Sequence, residues 1–330
     1  MILIKRIVNK LNYYYRHLIV QDQYPMLTYL SKREWQAKEG VGFVFMLHHV
    51  VHKNPQGIPS NEDLKVSPAF LEKIIVRYKQ EGFDFISLDT LSEIISSDCQ
   101  PERPFIAFTL DDGYLDNYTN AFPIFKKYQV PFCVFVATDF PDKKAILWWD
   151  CIEDLIMSHD EIKISDGSIY PCRTSRQRQM TYNQLKQKIL RIDQKKIGVP
   201  ELNKLFSHYD IDWLAPIQQN GMSWNQIKEL SEHPLCTIGG HTVSHPAFDS
   251  LSDDDIRKEI YDGLMKIEAI TGQKVHHFAY PYGSARIIGN REYQIIKEFS
   301  FKTAFCSYGG CITKGNCSAH YCLPRIGLCE

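Results

Sequence analysis

Arg103 to Tyr114 reads RPFIAFTLDDGY, in which the apolar run Phe105 to Leu110 ends directly in two carboxylates, Asp111 and Asp112, and a glycine, Gly113. An unbroken apolar run of this length predicts a strand buried on both faces, as in a parallel sheet covered by helices. Gly113 permits a sharp turn out of the strand, and LDNYTNAFPIFKKYQ beyond it predicts a helix interrupted near Pro123. Outward in both directions the alternation continues. VGFVFMLHHV, FDFISL, PFCVFVAT, CTIGGHT and HHFAYPYG read as strands, while SPAFLEKIIVRYKQEGF, LDTLSEIISSD, SWNQIKELSEHP, SDDDIRKEIYDGLMKIEAITG and REYQIIKEFSF carry helical periodicity. Ser67 and Ser252 are placed to open their helices, and Gly82 and Gly272 to close them. The expected class is α/β, a parallel sheet that is either open or closed into a barrel.

Residues from about 140 to 221 break the alternation, with LWWDCIEDLIM and TYNQLKQKILRID as helical pieces around a loop-like KISDGSIYPCRTSRQ, so an insertion is expected there. Residues 1–40 read as an N-terminal helical extension. Basic residues between Ile4, Ile7, Val8, Leu11, Tyr15, Leu18 and Ile19 allow peripheral contact of residues 1–20 with an anionic membrane, or packing on the body of the protein. The start does not resemble a signal peptide, which gives the expectation of a cytoplasmic chain, associated in the alternative with the inner face of the membrane.

The whole chain has 330 residues, 44% apolar and 23% charged, the profile of a globular protein rather than a disordered one. Its 38 Lys and Arg against 39 Asp and Glu create no overall field to gather nucleic acid. Five of the ten cysteines, Cys306, Cys311, Cys317, Cys322 and Cys329, crowd the C-terminus without a CxxC pair, so reduced thiols are expected before a metal module.

Three predicted strands end in polar residues: Asp111 and Asp112, then His241 and His245 after TIGG, then Pro281, Tyr282 and Gly283 after HHFAY. In parallel α/β folds the carboxyl ends of strands open on one face, where such segments converge. The four-residue spacing of His241 and His245 suits two imidazoles on one side of a helical turn. Together with a carboxylate they make an incomplete divalent-metal sphere. Satisfied structural histidines are the plain alternative, and Gly239, Gly240 and Pro246 argue for a tight functional loop. Neighbouring residues on an extended backbone point apart. If one aspartate binds a metal, the other therefore faces a different part of the site, where a buried carboxylate can take a proton from water. Either could instead cap the following helix.

TLDDGY, GGHTVSHP and YPYG, in that order, resemble the first three motifs of the polysaccharide deacetylase family, the NodB-homology or carbohydrate esterase family 4 enzymes. LHHV, VSPAFLEKIIVRYKQEGFDFISLDTL, SWNQIKEL and LPRI are similar to flanking blocks, so the resemblance covers most of residues 41–330. It implies a distorted (β/α) barrel of about seven strands and a deacetylase domain over 41–330 with the insertion inside it. It also implies metal-dependent removal of acetyl groups from N-acetylated or O-acetylated sugars, in cell-surface polysaccharide or lipopolysaccharide assembly. The implied metal ligands are Asp112, His241 and His245, with zinc expected first and cobalt, nickel or manganese as alternatives. Asp111 falls on the general base, and Tyr282 on the residue whose backbone N–H holds the oxyanion.

Two departures accompany the resemblance. The family's C-terminal acid motif is absent, and His48 in LHHV is the expected acid, with His49 second and His320 third. Ala279 stands where the family often has an arginine that orients the base, and Arg325 in LPRI is the expected substitute. Trp148 and Trp149 are read as core or as a wall against a sugar ring. Competing functions are hydrolysis of another non-peptide C–N bond in a small molecule and non-catalytic carbohydrate binding.

Overall fold

The computed structural model describes residues 40–97, 101–192, 197–285, 287–313 and 320–330. The expected N-terminal helix and Cys317 lie outside them. Among the described residues, no helix is long and apolar enough to cross a membrane.

The sheet is built from β1 (Gly40–Leu47), β2 (Phe105–Leu110), β3 (Phe132–Val136), β4 (Cys236–Gly240), β5 (His277–Ala279), β6 (Thr303–Phe305) and β7 (Ile312–Thr313), in the spatial order β6-β5-β4-β3-β2-β1-β7. Neighbours from β1 to β6 pair in parallel, while β7 runs antiparallel to the start of β1. The two-residue β8 (Ile326–Gly327) pairs in parallel with Phe45 and Met46 of β1, and Leu323 just before it bridges Phe305 of β6. The C-terminal segment thus joins the two ends of the curled sheet, giving a distorted (β/α) barrel. FDFISL contributes only Asp84–Phe85 as strand, paired with the start of β2.

All residues of β2 and β3 are buried. Phe45, Phe108, Phe125 and Phe132 pack between the sheet and its helices. Each fully buried side chain of that size contributes roughly 1.5–3 kcal/mol. The helix α1 (Pro68–Gln80) begins where the Ser67 hydroxyl accepts from the Phe70 N–H, and Gly82 follows its end at φ 78°. The interruption expected near Pro123 is a π-helical stretch, Asn117–Ala121, running into Phe122–Tyr128. Proline cannot donate to the preceding turn, and the chain widens before it.

The inserted region has its own apolar cluster, including Ile152, Ile162, Leu185, Leu202, Phe206 and Trp213, joined by Ile58 from the segment after β1. Helices α2 (Trp148–Ser158) and α3 (Ser175–Leu190) flank it. The stretch expected as loop is in fact an antiparallel hairpin, Glu161–Lys163 with Ile169–Pro171. Its strands are too short to show alternation clearly. The turn signal was present, with Gly167 at φ 83° and Asp166 accepting from the Ser168 N–H at 2.8 Å. The chain rejoins the barrel where Gly221 bridges Tyr114 and the Met222 N–H donates to the Gly113 carbonyl.

Candidate active site and metal centre

The carboxyl ends of β1, β2, β4 and β5 deliver His48, Asp111, Asp112, His241, His245 and Tyr282 to one cavity of about 240 Å³. Its ends are held in unusual backbone. Six non-glycine residues among those described have positive φ, and four of them lie here: Asp112 (76°), Thr242 (71°), His245 (57°) and Tyr282 (58°). Such conformations persist only where the surroundings enforce them.

The enforcement is visible. Glu259, on the helix α4 (Asp253–Thr271), accepts from the Val243 and Ser244 N–H groups at 3.0 and 2.9 Å and from the Ser244 hydroxyl at 2.9 Å. Gly263 brings that helix against the loop, because a Cβ there would lie 2.9 Å from the Thr242 carbonyl oxygen. The Ser307 hydroxyl donates to the Tyr282 carbonyl at 2.7 Å. His241 and His245 consequently converge from a strand end and an irregular loop, not from the helical turn their spacing suggested. Gly239 also has a different role from the one expected: it sits in β4, where a Cβ would meet the Phe135 ring at 2.3 Å.

Asp112 Oδ1 lies 3.3 Å from His241 Nε2 and 3.4 Å from His245 Nε2. Both contacts exceed charge-assisted hydrogen bonds, and Oδ1 is buried without a hydrogen-bond partner. Donors about 2.0–2.1 Å from one tetrahedral ion lie about 3.4 Å apart, so these residues fit a divalent cation. They are the one such group found among the described residues. His241 Nδ1 faces the Ala279 carbonyl at 2.7 Å. A proton on that nitrogen leaves the Nε2 lone pair directed at the focus. Burial pushes His245 down to about 4, keeping it neutral and able to ligate. For His241 burial acts in the same direction, but Asp112 and Asp111 more than offset it and raise the ring above its usual value. Burial would raise Asp112, yet His245 and His241 bring it well below the usual carboxylate range.

Asp111 makes its contacts with the closing segment. Its oxygens accept from Arg325 Nη1 at 2.6 Å and Nη2 at 2.7 Å. Arg325 also donates to Thr109 Oγ1 and to the Cys306 carbonyl, lies over the Phe135 ring, and is fully buried. Burial alone would raise Asp111, but the guanidinium outweighs it and the carboxyl lies below its usual value. Arg325 thus pairs with Asp111 from the closing segment, whereas Ala279 offers only a methyl group.

His48 faces the cavity, and burial holds its pKa below the usual value against the pull of Asp112 and Asp111. His49 points elsewhere: its Nδ1 pairs with Asp116 Oδ2 at 2.7 Å and its ring packs on Tyr114. His320 meets β6 through its carbonyl, which accepts from the Ala304 N–H, and its side chain does not line the cavity. No described residue accepts from the Tyr282 N–H. Cys306 and Cys329 are free thiols.

The insertion completes the enclosure. Trp148 and Trp149 pack in its core and also line the cavity. Trp149 Nε1 donates to the Tyr114 hydroxyl at 3.1 Å. Tyr182 donates to Asn61 Oδ1 at 2.5 Å, and Asn61 Nδ2 to Glu153 Oε2 at 2.6 Å. Asn61, Tyr182 and Lys186 carry no motif, and nothing in the sequence pointed to them.

A family model described as polysaccharide deacetylase matches residues 98–304. "Putative polysaccharide deacetylase YxkH" of Bacillus subtilis is 29% identical over 79 residues, 24% of this chain, and the match spans only 28% of that curated relative. The deacetylase PplD of Streptococcus pyogenes, solved with acetate, superposes with TM-score 0.58 at 18% identity, covering 87% of this chain and 92% of that one. IcaB from Ammonifex degensii gives 0.57 at 18% identity, over 87% and 91%. The BpsB deacetylase domain from Bordetella bronchiseptica gives 0.51 at 16% identity, over 86% and 94%. At these identities the structures speak for the fold, and the matched family model, spanning both the Asp111–Asp112 strand end and the histidine loop, shows that the chain belongs to the polysaccharide deacetylase family.

Proposed function

We propose that this chain is a metal-dependent hydrolase that removes acetyl groups from N-acetylated sugars, with O-acetylated sugars as the related class, during cell-surface polysaccharide assembly. One observation carries the reading: a three-donor focus, Asp112, His241 and His245, shares a cavity with a carboxylate held by a buried guanidinium. When bound, a divalent cation there, zinc foremost, supplies Lewis-acid polarisation of an acyl carbonyl and increases the acidity of water.

The remaining work falls to side chains and one backbone group. Arg325 uses one lone pair of each Asp111 oxygen, and a carboxylate oxygen has a second available. Asp111 is thereby oriented to accept the proton of an attacking water. The Tyr282 N–H, fixed by its left-handed backbone, donates to the acyl oxygen as negative charge develops, an interaction typically worth about 3 kcal/mol. His48 delivers a proton to the departing amine. Trp148 and Trp149 limit water at the reacting bond and offer an apolar surface to a sugar ring.

Metal analysis of purified protein and acetate release from N-acetylhexosamine oligomers test this reading. Asp111→Asn is expected to lower turnover by about 10²–10⁴-fold with metal content nearly unchanged, and His241→Ala to lose both. Undiminished acetate release in either variant would overturn the assignment.

A further inference from the structure

Lys186 enters the cavity from the insertion, on the same face of α3 as Tyr182 one turn earlier. Among the described residues, no hydrogen bond or ion pair engages its ammonium. Burial lowers its pKa, and no carboxylate offsets that effect. The acidic groups of the cavity are committed elsewhere: Asp111 binds Arg325 through both oxygens, and Asp112 faces the two imidazoles. A half-buried cation without a counter-charge has a cost for a folded chain. The cost falls when a ligand brings the opposite charge.

We propose that Lys186 recognises an anionic group, a phosphate or a carboxylate, carried by the acetylated sugar that this cavity receives. The proposal rests on the sugar-deacetylase reading and narrows its substrate class. A neutral oligosaccharide would leave the ammonium unpaired, whereas a phosphorylated or acidic amino sugar satisfies it with charge-assisted hydrogen bonds. The barrel then supplies the reaction, and the insertion supplies the preference for a charged substrate.

The test uses binding, so that it does not depend on turnover. Full-length, zinc-loaded protein is titrated calorimetrically with three deacetylated probes that share the C2 amine: glucosamine, which carries no anionic group, glucosamine 1-phosphate, and muramic acid, which carries a carboxylate. At least one anionic probe is expected to bind about tenfold to a hundredfold more tightly than glucosamine, and which one it is identifies the source of the charge. The preference should disappear in Lys186→Gln and persist in Lys186→Arg. Lys186→Met, which keeps the apolar stem, replaces the glutamine variant if thermal melting shows that variant to be unfolded. Equal affinity of the wild type for all three probes, or a preference that survives removal of the ammonium, overturns the proposal. Acetate release from neutral N-acetylhexosamine oligomers is measured in parallel. Its absence would count against the deacetylase reading and leave the binding preference to be judged separately.

Discussion

On the strand-end side of the cavity, Asp111 is gripped by Arg325 and Asp112 faces two imidazoles, and both carboxyls lie below their usual range. On the insertion side, Lys186 has no partner among the described residues; elsewhere on the insertion, outside this cavity, burial raises Asp150 of α2 to about 6. On the barrel side Asp111 has its counter-charge within the chain, and Asp112 is aimed with two imidazoles at one focus, a pre-organised geometry of the kind that chemistry needs. The insertion side leaves the Lys186 ammonium unbalanced in the cavity, and that is useful only if the balance comes from a ligand.

Removing the grip is the harshest way to break this contrast. Arg325→Leu leaves Asp111 buried without its cation, and a loss of about 3–5 kcal/mol of folding stability is expected. Chemical denaturation measures it, and a loss near zero would mean that the pair is not the internal compensation described here. Next in size is His48→Ala, expected to lower kcat on amide substrates by about 10²-fold at unchanged metal content. Full kcat in that variant would remove His48 from the proton-delivery role. Glu259→Gln weakens the two N–H bonds and the hydroxyl bond that hold the histidine loop. By analogy with outer-shell partners, about tenfold weaker metal binding is expected in competition with a chelator. Unaltered affinity would show that barrel packing alone fixes the loop.

The smallest effect concerns the insertion side. Asp150 titrates near 6 in the folded chain against an ordinary 3.8, so between those values the folded state binds a proton that the unfolded state does not. Its contribution to stability therefore improves as pH falls through about 6. Asp150→Asn removes the burial cost of the charge. Its melting temperature should exceed that of the wild type at pH 8, and the advantage should fade towards pH 4. An advantage independent of pH would mean that the carboxylate is not the cause.

Much of the architecture was legible because its signals act over a few residues. Phe105–Leu110 read as a buried strand from composition alone, and the Ser67 and Ser252 caps behave as their positions suggest. The hairpin at Glu161–Lys163 and Ile169–Pro171 was missed because strands of three residues barely register a period of two. The histidine spacing suggested a helical turn, whereas left-handed backbone at Thr242 and His245 aims both rings. Spacing cannot distinguish these routes, since each brings residues four apart to one place. Asn61, Tyr182 and Lys186 were invisible because an isolated polar residue on an amphipathic element looks like solvated surface until something covers it.

By itself the amino-acid order determined the alternation of strands and helices, the helix ends, and which carboxylates and imidazoles terminate strands. Barrel closure alone decided that Arg325 meets Asp111, 214 positions away in the chain, that the Asp112, His241 and His245 donors converge, and that the insertion brings an unpaired ammonium into the same cavity. The physical reason is range: propensity and capping are settled within a turn or two of backbone, whereas the meeting of distant side chains depends on how the sheet curls and what packs against its ends.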